Sequence, residues 1–165
     1  MLNYNSVIKN EMKQESISVK EISPVIKINL RGKKREFLTN VGKNLNMILP
    51  TEANTSTTSD KLTAIWLSPD EWMIISNELA SKDTNKSDLY EMLFNSISKT
   101  NLGAVIDVTD QFVQLELKGE NVYEIFSAGS PFNFNEFKEK KGSTTQTVLN
   151  HVDVILHHKD ENIVN

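Results

Sequence analysis

The stretch Ile65-Trp-Leu-Ser-Pro-Asp-Glu-Trp-Met-Ile-Ile75 decides the fold. Its ends, Ile65 to Leu67 and Met73 to Ile75, are short apolar runs suited to strands. Between them Ser68-Pro69-Asp70-Glu71 carries turn chemistry, because Pro fixes φ and Asp tolerates turn geometry. Two strands joined so closely must pair antiparallel. Trp66 and Trp72 bracket the turn. A Trp in such a place serves either core packing or interface anchoring.

Upstream, Ile26, Ile28 and Leu30 alternate with Lys27, Asn29 and Arg31, which predicts a half-buried strand ended by Gly32. Phe37, Leu38, Val41 and Leu45 then recur at helical spacing, predicting a helix over about 35–46. The polar tract Thr51–Asp60 reads as an exposed loop. Downstream, Asp88-Leu-Tyr-Glu91 is a capping box with Asp as the cap, and Leu89, Leu93 and Ile97 form one helical face to about residue 99. Ala104 to Val108 has few polar positions and is expected to be a strand buried on both faces. Val113, Leu115 and Leu117 alternate with polar neighbours, predicting another half-buried strand. Val122, Ile125 and Phe126 form a helical stripe stopped by Gly129 and Pro131. Thr145–Leu149 and Val152–Leu156 read as strands turning at Asn150-His151.

An internal repeat runs through these elements. Ile28-x-Leu30-Arg31-Gly32 and Leu115-x-Leu117-Lys118-Gly119 each precede a helical stretch, with a second glycine ten residues on, at Gly42 and Gly129. The offset is 119 − 32 = 87, and it carries Ile65 and Leu67 onto Val152 and Val154. The order strand, helix, strand, strand therefore recurs. The expected class is α+β, built from duplicated strand–helix–strand–strand units with mixed or antiparallel sheets and packed helices. Residues 1–21 read as an N-terminal extension and 22–165 as one domain of pseudo-repeats 22–100 and 103–165. Equivalents of the strand at 73–75 and the helix at 87–99 would fall at about 160–162 and 174–186, so a last strand and helix look missing.

Composition narrows the function. A chain of 165 residues is about one domain and long enough to bury a core unaided. Its net charge is 18 − 22 = −4, which disfavours duplex nucleic acid as a partner. There is no Cys, which removes disulfides, thiolate catalysis and Cys-based metal sites. No apolar run is long enough for a signal peptide or a membrane span, so a cytoplasmic location is expected.

The residues with chemical potential are few. His151, His157 and His158 are expected at the surface or rim, and strand alternation points His157 and His158 to opposite faces, which prevents joint chelation. Asp70 and Glu71 either serve the turn or form an acid–base pair. Asp107 interrupts an apolar strand and needs a hydrogen bond if buried, either as a structural group or as a catalytic one, with Asp110 close by. Arg31-Gly-Lys-Lys-Arg35 is the only basic cluster, either a solvated corner or a docking patch for an acidic surface. No nucleophile elbow, phosphate loop or dinucleotide fingerprint occurs.

Trp66-Leu-Ser-Pro-Asp-Glu-Trp72 resembles the W-L-x-P-D-E-W signature of the gamma subunit of heterotetrameric sarcosine oxidase. Supporting segments resemble that family too: Leu45 to Pro50, Val105-Ile-Asp-Val-Thr-Asp-Gln111, Gly129-Ser-Pro-Phe-Asn-Phe134, and Gln146 to Leu149 with Leu156-His157. The likeness spans about residues 22–158. Ser130 and Asn133 stand where the family usually has Cys and Asp, and the family's later Arg-Ser-aromatic strand and final helix have no counterpart.

The resemblance implies a fold like the folate-binding T-protein of the glycine cleavage system. It implies a non-catalytic subunit in the oxidative demethylation of sarcosine to glycine, the one-carbon unit passing to tetrahydrofolate. No cofactor is expected on this chain. FAD, FMN, NAD, zinc and tetrahydrofolate would belong to other subunits, and the alpha, beta and delta subunits would be its partners. Trp66, Pro69, Asp70, Glu71, Trp72, Arg31 and Arg35 are the candidate partner-interface residues, and Asp107 and Asp110 the folate-proximal candidates. Two alternatives stay open: the equivalent subunit of an oxidoreductase acting on dimethylglycine or N-methylglutamate, and a free-standing folate-binding or aminomethyl-transferring domain.

Overall fold

The computed structural model describes residues 5–8, 11–14, 16–22, 25–79 and 88–165, with the side chains of 77–79 excepted. The chain forms two compact units, Pro24–Phe112 and Met1–Ser23 with Val113–Asn165.

The unit over 24–112 holds a five-stranded antiparallel sheet with helices packed against it. Its strands are β3 (Val25–Arg31), β4 (Ser56–Thr58), β5 (Leu62–Ser68), β6 (Glu71–Leu79) and β7 (Ala104–Asp107), in spatial order β4-β5-β6-β3-β7. α1 (Arg35–Leu45) follows β3 directly and buries Phe37, Val41 and Leu45, the stripe that the helical spacing predicted. Asn46, in the left-handed region, stops it. Gly42 lies inside α1. α2 (Asp88–Leu93) runs on through a π-helical turn, Phe94–Ser98. Ile28, Leu30, Ala64, Trp72, Ile74 and Val105 from the sheet pack with Phe37, Val41, Leu93 and Ile97 in one core. Period-2 alternation puts these strand residues on one face, so Lys27, Asn29 and Arg31 take the other.

The second unit holds a six-stranded sheet in the order β1-β2-β8-β11-β10-β9. The strands are β1 (Met12–Gln14), β2 (Ile17–Glu21), β8 (Leu115–Lys118), β9 (Thr144–Leu149), β10 (Val152–Asp160) and β11 (Ile163–Val164). α3 (Val122–Gly129) covers it with Val122 and Phe126, which join Phe134, Phe137, Leu156 and Val164 in an aromatic-rich core. The β9–β10 turn has Asn150 and His151 both at positive φ, 48° and 72°, as a two-residue hairpin of matching twist requires.

Five expectations need correction. The segment 1–21 is not merely an extension, because β2 pairs with β8 through Lys20↔Glu116 and its neighbours. A Glu116 carboxylate bonded by Lys20 at 2.7 Å and Lys159 at 3.0 Å locks that pairing. Thr51–Asp60 is not all loop, since its polar Thr and Ser residues form β4 against β5. β7 is an edge strand rather than a doubly buried one, and Ile106 is 46% exposed. Its apolar run reflects half-burial without a polar outer face. His157 and His158 are buried, not at the rim. The last strand is not missing, because β11 pairs with β8 as β6 pairs with β3; at two residues it was too short to leave a periodic signal.

Candidate partner interface

The antiparallel register of β3 and β6 sets Arg31 opposite Glu71. The β5–β6 hairpin therefore delivers its acidic turn to the basic end of β3, and two clusters far apart in sequence meet. The Glu71 carboxylate accepts from Asn29 Nδ2 at 2.8 Å and pairs with the Arg31 guanidinium at 3.4 Å. Asp70 pairs with Lys33 Nζ at 3.5 Å, and the Ser68 hydroxyl donates to its Oδ1 at 2.9 Å. The Gly32 N–H donates to the Asp70 carbonyl at 3.0 Å, closing the corner. The Ser68 hydrogen bond holds the Asp70 carboxyl below its ordinary range, helped by the charges of Lys33 and Arg31. Opposite charges thus meet across the corner, Arg31 with Glu71 and Lys33 with Asp70.

The two Trp residues are direct cross-strand partners on the core side of the hairpin. Trp72 is 3% exposed, packs tilted against Phe37 at 5.8 Å between ring centres, and donates its Nε1–H to the Pro50 carbonyl at 2.7 Å. Its side chain belongs to the core and is not offered to a partner. Trp66 is half-buried beside it, and Pro69 is exposed at the hairpin tip. Arg35 opens α1 and lines an open concavity with Glu36, Thr39, Asn40 and Lys43.

Asp107 is exposed at the end of β7, and its Oδ1 accepts the N–H of Thr109 at 2.9 Å, a local turn bond. Asp110 is exposed in the short turn that follows. Its charge acts on Lys27, a nearly fully buried lysine whose Nζ donates to the Val25 carbonyl at 3.3 Å. Burial pulls the Lys27 pKa down, and Asp110 opposes that. Lys27 left no sequence signal, because strand alternation marked it as a solvent-facing position. Asn29 and Ser68 were also missed. Asn29 shares a strand face with Arg31, and that alternation was the available clue.

His158 sits in the aromatic core against Tyr123 and Phe137. Its Nδ1 lies 3.1 Å from the Phe137 carbonyl and 3.0 Å from that of Lys140. Two carbonyl acceptors on Nδ1 require the proton there. Burial drives the His157 pKa down to about 4, with His158 and Lys159 adding to the shift. Among the described residues no group of three or more His, Asp or Glu is placed to hold a metal, and no helix is long and apolar enough to cross a membrane.

A family model described as the sarcosine oxidase, gamma subunit family matches residues 32–165. Comparison with curated protein sequences finds no match. Among solved structures, a chain of the heterotetrameric sarcosine oxidase from Corynebacterium sp. U-96, solved in complex with pyrrole 2-carboxylate, is similar in fold. The TM-score is 0.79 at 17% identity, over 93% of this chain and 76% of that one.

Proposed function

The chain belongs to the sarcosine oxidase gamma subunit family, and from that premise we propose that it is the non-catalytic gamma subunit of a heterotetrameric oxidase. It docks on the large flavoenzyme subunits and helps shape the folate compartment. The observation that carries this reading is the family match over 32–165, which takes in most of both units. The fold likeness to a chain of a heterotetrameric sarcosine oxidase supports it.

In this reading the reaction, oxidative demethylation of sarcosine with one-carbon transfer to tetrahydrofolate, runs on the other subunits. The flavins, NAD, zinc and folate are held there, in the cytoplasm. The exposed Asp107 commits an oxygen to its own turn, and we assign no step of the chemistry to it or to Asp110. The Arg31–Glu71 corner and the Pro69 tip are the docking candidates. We infer also that the two units repeat one plan of the T-protein kind. The sheet orders support this, since β4-β5-β6-β3 matches β9-β10-β11-β8 in both spatial and chain order, with the fifth place taken by β7 after β6 in one unit and by β2 before β8 in the other.

The test is co-expression with the candidate alpha, beta and delta subunits, followed by gel filtration. Co-elution in one stoichiometric peak is expected, and separate elution overturns the reading. Titration of the isolated chain with tetrahydrofolate separates it from a free-standing folate protein, for which micromolar binding would be required.

A further inference from the structure

A sheet with an apolar face must bury it under another element. The unit over 24–112 uses two: α1, and α2 with its π-helical turn, which pack on α1 and β7. Leu93 and Ile97, four residues apart, are fully buried in one core with Ile28 and Leu30 of β3 and Val105 of β7. The turn is bonded on both sides. Asn40 Nδ2 of α1 donates to the Ser96 carbonyl at 3.3 Å, and the Val105 N–H of β7 donates to the Ser98 hydroxyl at 3.1 Å.

In the second unit no helix among the described residues takes the corresponding place. Leu115 and Leu117 of β8 stand 87 residues after Ile28 and Leu30, and Val19 of β2 faces Leu117 as Val105 faces Leu30. Ile28, Leu30 and Val105 are buried, whereas Leu115, Leu117 and Val19 are only half-buried. The covering helices differ in the same sense. Val122 and Phe126 of α3 take the core places of Phe37 and Val41 of α1, so Ile125 falls where Asn40 meets the π-helical turn. Ile125 is 45% exposed. Strand alternation puts Glu21 on the same face as Val19, and there the Glu21 carboxylate accepts the Ile8 N–H at 3.0 Å, so the segment 5–8 meets one end of this face.

We propose that an amphipathic helix of a partner subunit completes the second unit, lying over β2 and β8 beside α3 as α2 and its turn lie over β7 and β3 beside α1. This rests on the reading of the chain as a subunit whose two units share one plan. The other unit sets the chemistry of the occupant: apolar residues four apart, in the manner of Leu93 and Ile97, to meet Leu115, Leu117 and Val19. Ile125 in the place of Asn40 selects an apolar side chain there instead of a carbonyl. A second copy of this chain has no such helix to give among the described residues. Phe37, Val41, Leu93, Ile97, Val122 and Phe126 are already buried in their own units, and residues 80–87 carry no apolar residue larger than Ala80.

The chain has no Cys, so an introduced thiol is unique. Ile125→Cys and Val19→Cys, made singly, are treated with a maleimide in the chain alone and in the co-purified complex. Both should react at least about tenfold more slowly in the complex, the scale of a side chain reached only when a contact opens. Val152→Cys, on β10 three strands from β2, is 62% exposed and should react alike in both states. A photoactivatable cross-linker on the Ile125→Cys thiol should join a helical partner-subunit peptide with apolar residues at i and i+4. Ile125→Asp should leave urea stability nearly unchanged and weaken co-elution. A thiol equally reactive in the intact Ile125→Cys complex overturns the proposal and leaves the subunit reading standing. So does equal protection of all three thiols, or a cross-link to residues 1–4, to a second copy of this chain, or to a partner strand or loop. Failure of the unaltered chain to co-elute removes both readings. Should Ile125→Cys disturb folding, Val19→Cys reads the same face from β2 and decides the matter.

Discussion

The indole of Trp72 donates its Nε1–H to the carbonyl oxygen of Pro50 at 2.7 Å, tying the hairpin to the segment that leaves α1. The ring also packs on Phe37 at 5.8 Å and is 3% exposed. Trp72→Ala should cost about 3–5 kcal/mol, the usual cost of deleting a buried Trp. Trp72→Phe keeps an aromatic body but strands the Pro50 oxygen, and should cost about 1–3 kcal/mol. Trp66→Ala, at a half-buried position, should cost less than Trp72→Ala. Urea unfolding monitored by circular dichroism reads all three. A Trp72→Ala variant as stable as the parent would deny the ring its place in the core.

His157 sets a pH dependence. Burial holds its folded-state pKa near 4 against an ordinary 6.5, so the unfolded chain binds the extra proton between those values. Stability is then fully present above about pH 6.5 and is lost as the pH falls toward 4. The gap is worth roughly 3 kcal/mol at about 1.4 kcal/mol per pH unit. Urea midpoints measured from pH 7 to 4 should decline, and His157→Gln should flatten that decline. A decline of equal slope in the variant would assign it to other groups.

The sequence was most legible where a period was long enough to count. The alternation of Ile28 and Leu30 and the helical spacing of Phe37, Val41 and Leu45 each found their element. The Asn150-His151 turn was also found, because two strands flanked it. What failed was global placement. Ala104 to Asp107 reads as buried from its apolar letters, yet a strand's position in the sheet is set by its partners, and this one has β3 on one side only. β4 lacked apolar letters, and β11 lacked length. The candidate site was half legible. Arg31 and Glu71 were each visible, but their meeting depends on the β3–β6 register, which no local pattern encodes.

Gly119 sits at φ 150°, where other residues are strained, and a Cβ there would run into the Ser16 carbonyl oxygen and the Ile17 Cα. The glycine is what lets β2 approach the end of β8. Gly119→Ala should therefore destabilise by about 1–3 kcal/mol, the usual scale of enforced backbone strain. The damage should concentrate on β2, so amide exchange at Ile17–Glu21 should accelerate more than exchange in α1. Uniform acceleration across both units would argue against this local role.

The Arg31–Glu71 pair separates a folding role from a docking one. Arg31 is half exposed and its contact with Glu71 is 3.4 Å long, so the pair contributes no more than about 1 kcal/mol to stability. Glu71→Gln keeps an acceptor for Asn29 and should be nearly neutral in urea unfolding. Arg31→Glu sets like charges side by side and should cost only about 1 kcal/mol, because both groups reach water. If the corner faces a partner subunit, the same reversal acts on a surface that excludes water, where a mismatched charge costs several kcal/mol. We therefore expect Arg31→Glu to weaken co-elution with the partner subunits at least about tenfold, a change of about 1.4 kcal/mol, at a stability cost that leaves the chain folded. Restoring the pair with Glu71→Arg in the same chain should recover stability without recovering assembly. Full assembly by the Arg31→Glu chain would remove the corner from the interface and leave it as a fold-closing contact.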